Sequence, residues 1–142
     1  MPKIFVHSVQ GTFSRESRPH IAKALTDLGI KCENLIDSEH IRRGIWVFFS
    51  EHRPDSVFSG GEAVTAPQIA LVAYALRGGF NDSARTQFIA EATAILGSHS
   101  VSSDLHTPIY VVIQETPAAD WGMYGKQVEL ENMQKNGLPA SY

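Results

Sequence analysis

Residues 2–9 alternate in polarity and are rich in Ile, Phe and Val, which predicts a β-strand ended by Gly11 and Thr12. Ile21, Ala24, Leu25 and Leu28 then recur at helical spacing. Ser14 or Ser17 can cap this helix. Ser17 is preferred because it leaves Pro19 in the first turn, where proline is tolerated, and Gly29 sits where a helix commonly stops. Residues 30–43 are polar and irregular and read as a connecting loop with room for one short helical turn. Ile45–Phe49 is a continuous apolar run between Gly44 and Ser50, the pattern of a buried central strand. Pro54, Asp55, Gly60 and Gly61 mark a turn and a short hairpin.

The order then starts again. Ile69–Leu76 is predicted as a strand and Gly78-Gly79 as a turn. Asn81 caps a helix with Ala84, Phe88, Ala92, Ile95 and Leu96 on its apolar face and Gly97 at its end. Ile109–Ile113 is a fourth strand, followed by a turn at Pro117 and a Trp121–Gly125 segment; the polar tail from Gln127 has room for one short surface helix. Pro2-x-Ile4 answers Pro67-x-Ile69, and Ile21-Ala22 answers Ile89-Ala90. Trp46-Val47 with Glu51 and Pro54 likewise answers Tyr110-Val111 with Glu115 and Pro117. The chain therefore reads as one α+β domain of two pseudo-repeats, 1–63 and 64–126, with 127–142 as a tail. Tandem β-α-β units give a four-stranded sheet with two helices on one face, and self-association would cover the other face.

Composition narrows the functional classes. With 142 residues, 43% apolar and 19% charged, the chain has the make-up of one ordinary globular domain. A net charge of -3 with scattered basic residues leaves no electrostatic footprint for nucleic acid. No apolar run approaches the roughly 18 residues that span a bilayer, and the start lacks a signal-peptide layout, so no membrane association and a cytoplasmic location are expected. The one cysteine, Cys32, excludes an internal disulfide and reads as a passive residue. None of the six histidines has the spacing of a zinc site, and neither Gly pair continues as a phosphate cradle, so no metal and no cofactor are expected. His7 should project away from Pro2's face toward solvent or an interface, and His99 and His106 flank a polar loop and read as solvated.

The candidate chemistry is at the start. Excision of Met1, usual before a residue as small as proline, leaves Pro2 with a free secondary amine at the head of a strand. An α-amino group titrates near about 7.7–8.0, and burial lowers that further, toward the poise a general base needs. The alternatives are a proline that merely opens an edge strand and a chain that keeps Met1, in which the Pro2 nitrogen is a tertiary amide and no base.

These features together resemble the tautomerase superfamily, and more narrowly its fused two-unit branch typified by cis-3-chloroacrylic acid dehalogenase. The resemblance rests on Pro2, Thr26-Asp27, the Val57–Gly61 hairpin, Arg77, and Ile109-Tyr110-Val111 running through Glu115-x-Pro117 to Tyr124-Gly125. It implies a catalytic Pro2, an Arg77 that grips a substrate carboxylate as a bidentate fork, and a homotrimer. A solvated turn residue or an interface ion pair is the other reading of Arg77. Four polar site positions of the family fall on apolar residues or glycine here: the second arginine on Phe80, the histidine on Gly29, the tyrosine on Val112 and the water-positioning glutamate on Met123. Without a group to activate water, the chain is not expected to be a chloroacrylate dehalogenase. Phe80, Val112 and Met123, with Trp46, Trp121 and Tyr124 at the rim, describe a greasier substrate pocket, and each could equally belong to core or interface. The expected activity is a cofactor-independent tautomerase or isomerase acting on a small carboxylic or keto acid. The rival expectations are a proline-dependent decarboxylase or hydratase and a non-catalytic small-molecule binder.

Overall fold

The computed structural model describes residues 1–102 and 107–135. In chain order its elements are β1 (Lys3–Val9), α1 (Ser17–Cys32), α2 (Glu39–Gly44) and β2 (Trp46–His52), followed by the β3 (Phe58–Ser59) and β4 (Glu62–Ala63) hairpin. The second half supplies β5 (Ile69–Leu76), α3 (Asp82–His99) and β6 (Ile109–Thr116), then the β7 (Gly122–Met123) and β8 (Lys126–Gln127) hairpin and α4 (Leu130–Lys135).

The sheet has the order β2-β1-β5-β6. β1 runs parallel to β2 and β5 parallel to β6, while the two units meet antiparallel, with Lys3 opposite both Trp46 and Tyr74. Helices α1 and α3 pack beside each other. Ile4 and Val6 of β1 and Leu71 and Ala73 of β5 are fully buried with Ile21 and Leu25 of α1 and Phe88, Ala92 and Leu96 of α3. Each large apolar side chain so buried contributes about 1.5–3 kcal/mol. This layer is the core, and it realises the expected α+β architecture.

Local chemistry explains most of the boundaries. The Ser14 hydroxyl accepts the Ser17 N–H at 3.1 Å, so Ser17 is the first helical residue rather than the cap. The helix does not stop at Gly29 but continues to Cys32. Gly29 has another task, because a Cβ there would lie 2.8 Å from Cγ of the Pro2 ring. Ser38 caps α2 through the Ile41 N–H, and Asn81 caps α3 through the Ala84 N–H at 2.8 Å. α3 likewise runs past Gly97 to His99.

The second strand differs from the expectation of a central strand. β2 is an edge, and Trp46 and Phe48 stand exposed on the helix-free face. The Ile45–Phe49 run is continuously apolar because both of its faces are, not because sheet neighbours flank it on two sides. On that open face Phe5 stacks on Phe48 with centroids 4.9 Å apart and meets Tyr74 edge-on, and Tyr110 of β6 is exposed. Phe58 of the first hairpin flanks one end of this face and Trp121 the other. Both hairpins turn through two residues of positive φ, Gly60-Gly61 and Tyr124-Gly125, the conformation that suits two-residue hairpin loops. Among the described residues, no helix is long and apolar enough to cross a membrane.

Candidate functional site

The start of the chain is buried inside the fold. Met1 is 2% exposed, and its amine lies 2.9 Å from Oε2 of Glu33, which is 0% exposed. Glu33 follows α1 directly, and its carbonyl accepts a hydrogen bond from Gln134 of α4 at 3.0 Å. Met133 of α4 brings Sδ to 3.8 Å from the amine. Glycines shape the chamber. A Cβ on Gly44 would fall 2.0 Å from Met1 Sδ, and one on Gly79 would fall 3.1 Å from Glu33 Oε1. Burial lowers the pKa of the amine below its ordinary value, and the Glu33 carboxylate opposes that shift.

Lys3, the next side chain on the open face, carries the site into a cleft of about 450 Å³. Its ammonium donates to the Gly44 and Met1 carbonyls. The same group sits 5.4 Å from the Trp46 ring centroid and 5.7 Å from that of Trp121. Burial lowers the Lys3 pKa to about 8, against the field of Glu33, which raises it. Phe5, Tyr74 and the two tryptophans give the cleft aromatic walls. One end of the sheet thus holds an N-terminal amine, a carboxylate, a poised ammonium and a flat apolar slot. That set can anchor an anion and exchange a proton beside it.

The sequence-derived residues distribute unevenly around this centre. Pro2 is buried against Gly29 of α1, and with Met1 attached its nitrogen is an amide. Arg77 follows β5, and the antiparallel register brings it to the sheet end where the chain begins. It is exposed, its N–H donates to the Thr116 carbonyl at 2.9 Å, and its guanidinium makes no ion pair among the described residues. Phe80 is 2% exposed and packs edge-on against Phe88, which places it in the core beneath α3. Val112 lies opposite Val72 on the outer strand β6, two strands from Lys3. Met123 is half-buried against the core, and Tyr124 is exposed at the hairpin tip with φ 52°. Trp46 and Trp121 do meet at the cleft.

Two groups of the site, Glu33 and Lys3, carry no motif in the sequence. Glu33 continues the buried α1 series from Gly29 at helical spacing, so a carboxylate in the register of a core stripe was the available signal. Lys3 shares its face with Phe5 and His7, away from Ile4 and Val6, which the strand alternation alone implies.

A larger groove, about 600 Å³, lies at the other end of the open face, where His7 Nδ1 and His52 Nε2 stand 3.0 Å apart. It holds two imidazoles but neither an amine nor a carboxylate, so the smaller cleft is the better candidate site. His99, expected in solvent, is half-buried with Nδ1 2.9 Å from the Ile95 carbonyl, and His106 lies outside the described residues. Cys32 is buried, and burial pushes its thiol up to about 11, as suits a passive residue. Among the described residues, no three His, Cys, Asp or Glu side chains gather as metal ligands.

Comparison with known proteins agrees with this architecture. A fused 4-OT, titled as a wild-type asymmetric trimer, superposes with a TM-score of 0.67 at 19% identity, over 88% of this chain and 94% of that one. Pt0534, titled as inactivated by 2-oxo-3-pentynoate, gives 0.71 at 17% identity, over 92% and 98%. N1, titled as a member of the cis-3-chloroacrylic acid dehalogenase family, gives 0.66 at 20% identity, over 89% and 83%. These likenesses establish the fold. No curated protein matches the sequence. The family model Tautomerase_3, described as "Putative oxalocrotonate tautomerase enzyme", matches residues 1–136, and the chain therefore belongs to that tautomerase family, in a fused two-unit form.

Proposed function

We propose that this protein is a cofactor-independent tautomerase or isomerase that uses the Pro2 amine as general base once Met1 is removed. The observation that carries the reading is the chain terminus itself, buried beside a carboxylate and next to the only lysine of β1. The amine takes the hydroxyl proton of an enol, or the α-proton of a keto or unsaturated acid. Negative charge then spreads over the conjugated oxygen and carbon atoms. The resulting ammonium returns a proton to the other end of that system, so no atom is gained or lost. Lys3 and Arg77 supply positive charge for the substrate carboxylate, and Trp46 and Trp121 bracket an aromatic or long apolar part. Three chains would pack their open faces together, a reading supported by the trimers formed by fused 4-OT neighbours.

The test is ketonisation of enol-phenylpyruvate by protein whose intact mass shows Met1 absent. Pro2→Ala should lower kcat/KM by about 100-fold or more, the range for loss of a positioned base. Unchanged kinetics would remove Pro2 from the role. A second reading, a non-catalytic binder, is favoured by one observation: with Met1 present its side chain fills the chamber and Pro2 offers no basic nitrogen. Protein isolated with Met1 intact and silent toward the enol would support it.

A further inference from the structure

Glu33 is fully buried, yet only one of its oxygens has a partner. Oε2 faces the N-terminal amine in an ion pair at 2.9 Å, whereas Oε1 has neither an ion-pair nor a hydrogen-bond partner among the described residues. Gly79 backs Oε1 so closely that a Cβ there would come within 3.1 Å. Burying an unpaired carboxylate costs several kcal/mol, so the chain terminus is the cation that makes Glu33 tolerable at this place. Loss of Met1 moves the terminal nitrogen by one residue, to an atom three bonds and about 3–4 Å away. The volume vacated lies against Gly44 and Met133, within reach of the same carboxylate.

We propose that Glu33 is the positioning residue of the mature N-terminus: its carboxylate takes the Pro2 ammonium as ion-pair partner and turns the nitrogen toward the chamber that Met1 leaves. The inference rests on the reading of Pro2 as the base and adds the group that aims it. It also gives the site a polarity. A substrate carboxylate is repelled from Glu33 and directed toward Lys3, leaving the proton-exchanging atom nearest the amine. The charged groups that face the terminus are Glu33, at the end of α1, and Lys3 from β1. The other elements around it present Gly44 from α2, Gly79 from the turn before α3 and Met133 from α4, none of which titrates.

The experiment uses full-length protein with Pro2 as first residue, checked by intact mass and labelled with ¹⁵N-proline. The Pro2 nitrogen is titrated by NMR in the wild type, Glu33→Gln and Glu33→Asp. Removing the carboxylate should lower the titration midpoint of Pro2 by one pH unit or more in Glu33→Gln and by less in Glu33→Asp. The acid limb of the phenylpyruvate kcat/KM profile should move with it. A midpoint that stays put in folded Glu33→Gln overturns the proposal, as does a uniform loss of rate without any shift, which is what a merely structural role produces. Should Glu33→Gln fail to fold, an unmoved midpoint in Glu33→Asp decides the matter equally. The titration needs no substrate. A Glu33-dependent midpoint in a protein silent toward the enol defeats the isomerase reading alone, and a Glu33-independent midpoint with Pro2-dependent turnover defeats this inference alone.

Discussion

The amine of Met1 and the carboxylate of Glu33 meet at 2.9 Å in a chamber that leaves Met1 2% and Glu33 0% exposed. Removing one member of a buried pair strands the other. In protein that retains Met1, Glu33→Leu should therefore cost about 3–5 kcal/mol in a urea titration. A cost below about 1 kcal/mol would show that the pair is wet and weak, as at a surface.

Gly44 reports on whether Met1 occupies its niche. A Cβ added there would stand 2.0 Å from Met1 Sδ. Gly44→Ala should destabilise the Met1-retaining protein by about 1–3 kcal/mol, the range for overpacking, and cost clearly less in protein that starts at Pro2. Gly29→Ala is the control, because its added Cβ would meet the stiff Pro2 ring at 2.8 Å and should disturb both forms alike.

Lys3 makes stability depend on pH in a fixed direction. Its pKa falls from 10.5 to about 8 on folding because the cleft strips water from the ammonium. Between those values the unfolded chain holds a proton that the folded chain does not, so the free energy of unfolding rises with pH across the window. The penalty is fully present below about 8. Its relief should amount to about 1–2 kcal/mol after solvent screening. Cys32, raised from 9.0 to about 11, acts with opposite sign at the upper end of the range. The clean readout is therefore the difference between wild type and Lys3→Met in urea titrations from pH 7 to 10.5. A flat difference curve would mean that the Lys3 ammonium is solvated.

The open sheet face should be the contact between copies. Phe48→Asp places a charge in the stack with Phe5, beside exposed Trp46, and should convert the assembly to monomers in light scattering while leaving far-UV circular dichroism unchanged. A variant that keeps the wild-type mass in solution would show that the copies meet elsewhere.

The tandem order of elements was legible because its signals are local. The helical stripe through Ile21, Leu25 and Phe88, the Asn81 cap and the glycine turns each follow from a few neighbouring residues. What escaped was set by tertiary contact. Gly29 carries a stop signal, and only the approach of the Pro2 ring explains why the helix passes through it. Ile45–Phe49 looked central because the edge strand bares its second apolar face to the open side of the sheet. Glu33 looked like part of a polar loop, since nothing in the sequence announces that the chain terminus will neutralise it. Phe80 and Val112 were carried over by resemblance, and they stand in the core and on the far strand.

A Pro2 nitrogen that serves as the base must be a free, reactive amine. This is tested most directly by peptide mass spectrometry after treatment with 2-oxo-3-pentynoate, an activated alkyne to which a free amine adds by conjugate addition. The expected result is an N-terminal peptide that begins at Pro2, carries one adduct on that residue, and accumulates in step with loss of enol-phenylpyruvate ketonisation. An N-terminal peptide that begins at Met1, or an unmodified Pro2 in protein that has lost its activity, would contradict it.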